Sequence, residues 1–159
     1  MSRPPSSCST PPRPSAVPTD ATLAAGRLMV EHALRYGWDE ATGGFYDMGY
    51  YMKGDDRPTI VRRTKTWWAQ AEALTTFAVM AQHVPAERAR FLDLFDRQWS
   101  FVQDYLIDTE YGGWYDSSLD AAPDRKTGAK SQIWKGPYHT ARSLMQSIDR
   151  LEDLGVFSD

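Results

Sequence analysis

The sequence is poor in the residues that build most metal and cofactor sites. Its 159 residues include one cysteine, Cys8, which excludes an internal disulfide and a cysteine-rich metal centre. The three histidines, His32, His83 and His139, form no pair at metal-ligand spacing, and there is no Gly-rich phosphate loop. No apolar run approaches the ~18 residues that a membrane span needs. An excess of one charge is missing too. Lys and Arg number 18 against 21 Asp and Glu, and a net charge of -3 gives no electrostatic case for nucleic acid or an anionic membrane.

What the chain does have is aromatic: 13% Phe, Trp and Tyr, with six Trp. Indole rings serve either as core filling or as binding surface, and packing is the plainer reading for any single Trp. Clustering favours binding, because five of the six lie in or beside the motifs described below.

Residues 1–20 hold six of the ten prolines together with many Ser and Thr. Such a stretch has little to bury and is expected to be a disordered tail, or sequence upstream of the natural reading frame. It lacks the apolar middle of a secretory signal, so the expected location is cytoplasmic. From Asp20 the pattern becomes helical, and residues 21–159 are expected to form one mainly α domain. Thr19 or Asp20 caps a first helix running to about Tyr36, with Leu23, Val30 and Leu34 in its apolar set and Gly37 in a left-handed position past its end. A second helix is expected from Thr64 to His83, and a third from Ala86 to Ile107, starting after Pro85. A fourth starts near Pro137 and runs through Ala141, Leu144, Ile148 and Leu151 to Gly155. Short strands are expected over residues 44–48 and 113–116.

A weak internal repeat crosses this layout. Asp39-Glu40-Ala41-Thr42-Gly43-Gly44-Phe45-Tyr46-Asp47 returns as Asp108-Thr109-Glu110-Tyr111-Gly112-Gly113-Trp114-Tyr115-Asp116. Each copy follows a helix and precedes a lysine with tryptophans: Lys65-Thr66-Trp67-Trp68, then Lys130 through Trp134. The unit reads as helix, aromatic loop, Trp-bearing helix, and such hairpins can close into a toroid around a central cavity.

Two constellations carry chemistry. Lys65, Trp68 and Glu72 fall on one helical stripe, where an indole face and charged groups suit a sugar's C–H surfaces and hydroxyls. The plainer alternative is a Lys–Glu pair on a solvated face beside a core Trp. The second is Trp134-Lys135-Gly136-Pro137-Tyr138-His139-Thr140-Ala141-Arg142. Pro137 fits a first helical turn and puts His139 near a helix N-terminus, where the dipole disfavours the imidazolium. A neutral imidazole, with a reference pKa of about 6.5, is the usual general base. Arg142 shares its face and is placed to hold a carboxylate. The plainer alternative is a histidine that completes a capping network. His32 sits mid-helix and His83 at a helix end, and Glu87, Asp93, Asp96 and Asp104 read as solvated.

Lys65-Thr66-Trp67-Trp68-Ala69-Gln70-Ala71-Glu72, Tyr111-Gly112-Gly113-Trp114-Tyr115 and Trp134 through Leu144 together resemble the N-acylglucosamine 2-epimerase family, over residues 21–154 and in the order of its C-terminal portion. The resemblance implies an all-α fold, part of an (α/α)6 barrel whose cavity binds a reducing sugar, and a carbohydrate epimerase or isomerase activity. It implies two histidines moving a proton at C2 through an enediol, the second matching His139. Trp68 and Trp134 would line the subsite, with Lys65 and Glu72 supporting hydroxyls, and no metal or redox cofactor. The other family histidine lies in a Gly-His-x-x-Glu segment that this sequence does not contain. Twelve helices of ~20 residues also exceed 159 residues. The expectation is therefore a fragment with four to five barrel helices: marginally stable, inactive alone, and prone to dimerise or take up a partner piece through an exposed apolar edge. A glycoside hydrolase on the same toroid would need a second carboxyl group beside Glu72, and none is evident. A non-catalytic sugar-binding or protein-interaction remnant is the alternative from another class.

Overall fold

A computed structural model describes residues 18–118 and 129–157 of the chain. The expected tail lies outside the described residues except at its end. There Thr19 caps helix α1 (Asp20–Gly37), its hydroxyl accepting from the Thr22 amide at 3.2 Å. A two-stranded antiparallel hairpin follows, β1 (Met48–Tyr50) with β2 (Thr59–Arg62). Then come α2 (Trp67–His83), a 3₁₀ turn (Pro85–Glu87), α3 (Arg88–Tyr105) and α4 (Tyr138–Asp153).

Several expected boundaries are corrected. Gly37 is not left-handed: it closes α1, and the chain leaves through an extended Trp38 with ψ 136°. The segments at 44–48 and 113–116 do not form strands of their own. They make single bridges, Trp38 to Phe45 and Ile107 to Trp114, and the hairpin lies further along. Helix α2 starts at Trp67 rather than Thr64, because the Thr66 amide and hydroxyl both donate to Asp47 Oδ1, at 2.9 and 2.6 Å, and hold the chain extended there.

The contacts define the layout. Glu72 meets His139, Thr75 meets Ser143, and Gln82 meets Arg150, so α2 and α4 run parallel. Arg27 pairs with Glu87 and Glu31 with Arg90, so α1 and α3 run parallel as well. Helix α3 is antiparallel to α2, since Gln98 contacts Gln70 while Arg88 reaches the Ala81 carbonyl. The α2–α3 connection is therefore short. The described parts of the long connections, 38–66, 106–118 and 129–137, collect at the end where α2 and α4 begin.

Between the layers the core holds Trp67, Leu74, Phe77, Phe91, Phe101 and Leu106. Each large side chain of this kind contributes about 1.5–3 kcal/mol by burial. Helix α4 departs from its expected apolar face. It buries Ser143, Ser147 and Leu151, leaving Leu144 half-buried and Ile148 exposed. The serines are small enough to bring α4 against Ala71 and Thr75, where the Ser143 hydroxyl donates to the Ala71 carbonyl. The larger residues face an open groove of about 380 Å³ between α3 and α4, lined by Leu92, Trp99, Leu144, Ile148 and Phe157.

The internal repeat is real in three dimensions. Asp39 and Asp108 each donate a backbone amide to the second glycine of the pair, Gly44 or Gly113, and accept from the first. A lysine then closes each loop. Lys65 Nζ donates to Asp39 Oδ2, Thr42 Oγ1 and the Gly43 carbonyl, and Lys130 Nζ donates to Asp108 Oδ2 and the Gly112 carbonyl. Gly44, at φ 80°, tolerates nothing larger, since an added Cβ would lie 2.9 Å from the Phe101 ring.

Candidate functional site

The first two turns of α2 and of α4 bring four side chains together. Trp68 and Glu72 stand one turn apart on α2, and His139 and Arg142 share a face of α4. Nδ1 of His139 lies 2.7 Å from Glu72 Oε1, and Arg142 Nη2 donates to that same oxygen. The Trp68 and His139 rings are 5.9 Å apart and tilted. Tyr138 packs edge-on to His139, with the Arg142 guanidinium 4.8 Å above its ring. Trp68 remains 47% exposed, so its indole face is open beside the pair.

The electrostatics of Glu72 come from opposing effects. Burial pushes its pKa up, but the hydrogen bonds from His139 and Arg142 and the charge of Arg142 outweigh this, and the net shift is downward. Glu72 is thus held ionised and acts only as an acceptor. Nδ1 of His139 must then be the donor, which leaves the lone pair of a neutral ring on Nε2. Because the folded-state pKa is depressed, the stabilisation from this pair is complete above 4.5 and is lost as pH falls through the lower folded value. A 13C titration of the Glu72 carboxyl is expected to give a midpoint below 4.5. A midpoint at or above that value would contradict the arrangement.

Two expected site residues lie elsewhere. Lys65 is not on the α2 stripe, because the helix begins after it. Its ammonium is fully buried in the 39–43 loop clamp, out of reach of a ligand beside Glu72. Asp39, its partner, is pushed up by burial but brought well below the usual carboxylate range by Lys65, Tyr46 and the Ala41 amide. Asp108 in the second clamp sits at about 2, held there by the Lys130 hydrogen bond and by the Tyr111 and Glu110 amides. Trp134 is 80% exposed on the turn before α4, and among the described residues no ring contact joins it to Trp68 or His139.

His32 lies apart from the site, with Nε2 2.7 Å from the Tyr51 hydroxyl, and His83 ends α2. Tyr46 and Asp47 were missed by the sequence reading. They share with Trp68 and Glu72 a groove of about 360 Å³ between α1 and α2, and the repeat is the signal that marks them. Among the described residues no cluster of three His, Cys, Asp or Glu could hold a metal, and no helix is long and apolar enough to cross a membrane.

Comparison with known proteins finds relatives both in sequence and in structure. The family model described as N-acylglucosamine 2-epimerase (GlcNAc 2-epimerase) matches residues 16–143. A cellobiose 2-epimerase from Ruminococcus albus is 36% identical over 97 residues, which is 59% of this chain and 24% of that protein. A D-mannose isomerase from Thermobifida fusca is 28% identical over 132 residues, covering 80% of this chain and 31% of the relative. The chain therefore spans about a quarter to a third of the length of the curated relatives it matches.

Among solved structures, a D-mannose isomerase superposes with a TM-score of 0.70 at 23% identity, over 83% of this chain and 32% of that one. A sugar epimerase from a ruminal bacterium gives 0.57 at 27%, over 81% and 30%. The four helices are accordingly part of an (α/α)6 barrel, the toroid that the hairpin repeat implies.

Proposed function

The chain belongs to the N-acylglucosamine 2-epimerase family, and from that premise we propose that residues 21–159, as the C-terminal part of a sugar epimerase or isomerase domain, supply one wall of a site that moves a proton at C2 of a reducing sugar. The observation that carries this reading is the 2.7 Å hydrogen bond between Glu72 and His139 Nδ1, beside the open face of Trp68.

In the open-chain sugar the C1 carbonyl acidifies the C2 proton. Nε2 of His139 takes that proton, the C2–H electron pair becomes the C1=C2 bond of an enediol, and the C1=O π pair moves to O1, which takes a proton from water. Return of a proton to the opposite face of C2 gives the epimer, and its return to C1 gives the ketose. Glu72 fixes the tautomer that makes Nε2 the base and stabilises the imidazolium that forms. Arg142 keeps Glu72 ionised through the reaction. Trp68 offers a stacking face for the sugar ring, and Trp134, exposed on the turn before α4, offers a second. A positioned general base of this kind contributes typically 10²–10⁴-fold.

A glycosidase reading fits less well. Its acid needs a raised carboxyl pKa, whereas Glu72 is lowered by two donors.

Under this proposal the 159 residues alone carry one proton-transfer group of the two. Purified protein incubated in D2O with cellobiose, mannose or N-acetylglucosamine is expected to show no loss of the C2 proton signal by NMR. Steady turnover of any of the three would overturn the one-wall reading.

A further inference from the structure

Helix α4 carries His139 at its second residue, yet its start is weakly secured. Pro137 occupies the cap position and makes no side-chain capping bond. By contrast, the start of α2 is tied to its own aromatic loop through Thr66 and Asp47. The segment 131–138 that delivers α4 is exposed at every residue except Lys135. Lys135 turns inward, its Nζ donating to the Trp114 carbonyl in the second aromatic loop and lying 5.3 Å over the ring of Trp67, the first residue of α2. Further back, Lys130 and Gln132 hold the segment to Asp108 and Asp116. Lys135 is the last of these tethers before the helix, and it touches both the loop and the helix against which His139 must be set.

We propose that Lys135 is a positioning residue for His139: by anchoring the turn before α4 to Trp114 and Trp67, it sets the register in which Nδ1 meets Glu72. The inference rests on the proton-transfer reading of His139, but its geometry stands without any sugar. It also explains why a lysine occupies an otherwise exposed turn. A long side chain can cross to the Trp114 carbonyl while its cation covers an indole face.

The test reads the imidazole directly. In the 15N-labelled 159-residue protein at a pH where the ring is neutral, the two ring nitrogens of His139, assigned with the His139→Gln variant, are expected to report the tautomer protonated at Nδ1. Lys135→Met is expected to move His139 to the tautomer protonated at Nε2, the form preferred by an unrestrained imidazole, while His32 and His83 keep their signals. Lys135→Arg, which retains cation and donor, is expected to keep the wild-type pattern. An unchanged His139 tautomer in Lys135→Met would overturn the proposal. So would global unfolding of that variant with Lys135→Arg also displaced, since the contact would then hold the fold and not the register. Failure of the sugar chemistry would leave these signals untouched, so the two readings fail separately.

Discussion

Replacing Lys65 with methionine is expected to destabilise the protein by about 3 kcal/mol. The ammonium is fully buried and satisfies three acceptors, Asp39 Oδ2 at 2.9 Å, Thr42 Oγ1 at 2.7 Å and the Gly43 carbonyl at 2.8 Å. It also lies 4.6 Å over the Phe101 ring. Methionine fills the channel but leaves the Asp39 carboxylate, whose side chain is only 17% exposed, without its counter-charge. Against a typical total of 5–15 kcal/mol this is a large fraction, and urea unfolding at neutral pH would show it. Adding Asp39→Asn should recover part of the loss, because the stranded charge is then gone. Lys130→Met should cost less, since Lys130 is 32% exposed and water can replace it. A loss for Lys65→Met no larger than that for Lys130→Met would show that the first clamp is not a buried ion pair in solution.

Lys65 also shows where the sequence is legible and where it is not. Helical periodicity over Trp67, Ala71, Leu74 and Ala78 finds α2, but it also draws Lys65 onto the helix, because nothing in the spacing reveals that Asp47 stops the helix at Thr66. The better signal was already present in the repeat. Lys130 occupies the same place in the second copy, well before α4 begins, so a lysine that precedes each helix and an aspartate that opens each loop belong together. The hairpin β1–β2 was invisible for a different reason. Most of its residues are exposed on both faces, so no alternation marks it. Buried Gln70 and Gln98 break the apolar code altogether: Gln70 bonds both the amide and the carbonyl of Phe45, as a neighbouring strand would. The ion pairing of Arg142, by contrast, follows from its offset of three from His139, and only its partner, Glu72, required the fold.

The second large effect concerns His139 itself. In a chimera where residues 20–157 replace the matched stretch of a cellobiose 2-epimerase, His139→Ala is expected to lower kcat about 10²–10⁴-fold with the fold intact by circular dichroism. Glu72→Gln should lower it less. The amide oxygen can still accept from Nδ1, so the tautomer survives, but the charge that stabilises the imidazolium is gone. If Glu72 were instead a hydrolytic acid or nucleophile, the order would reverse: Glu72→Gln would abolish activity and His139→Ala would spare much of it.

The most direct measurement is solvent exchange at C2 in that chimera, followed by 1H NMR in D2O with a reducing sugar. With His139 present, deuterium should enter C2 as the product forms. With His139→Ala, both exchange and product formation should fall together to near the uncatalysed level. Exchange at the parent rate in the His139→Ala chimera would contradict the assignment of Nε2 of His139 as the base that moves the C2 proton.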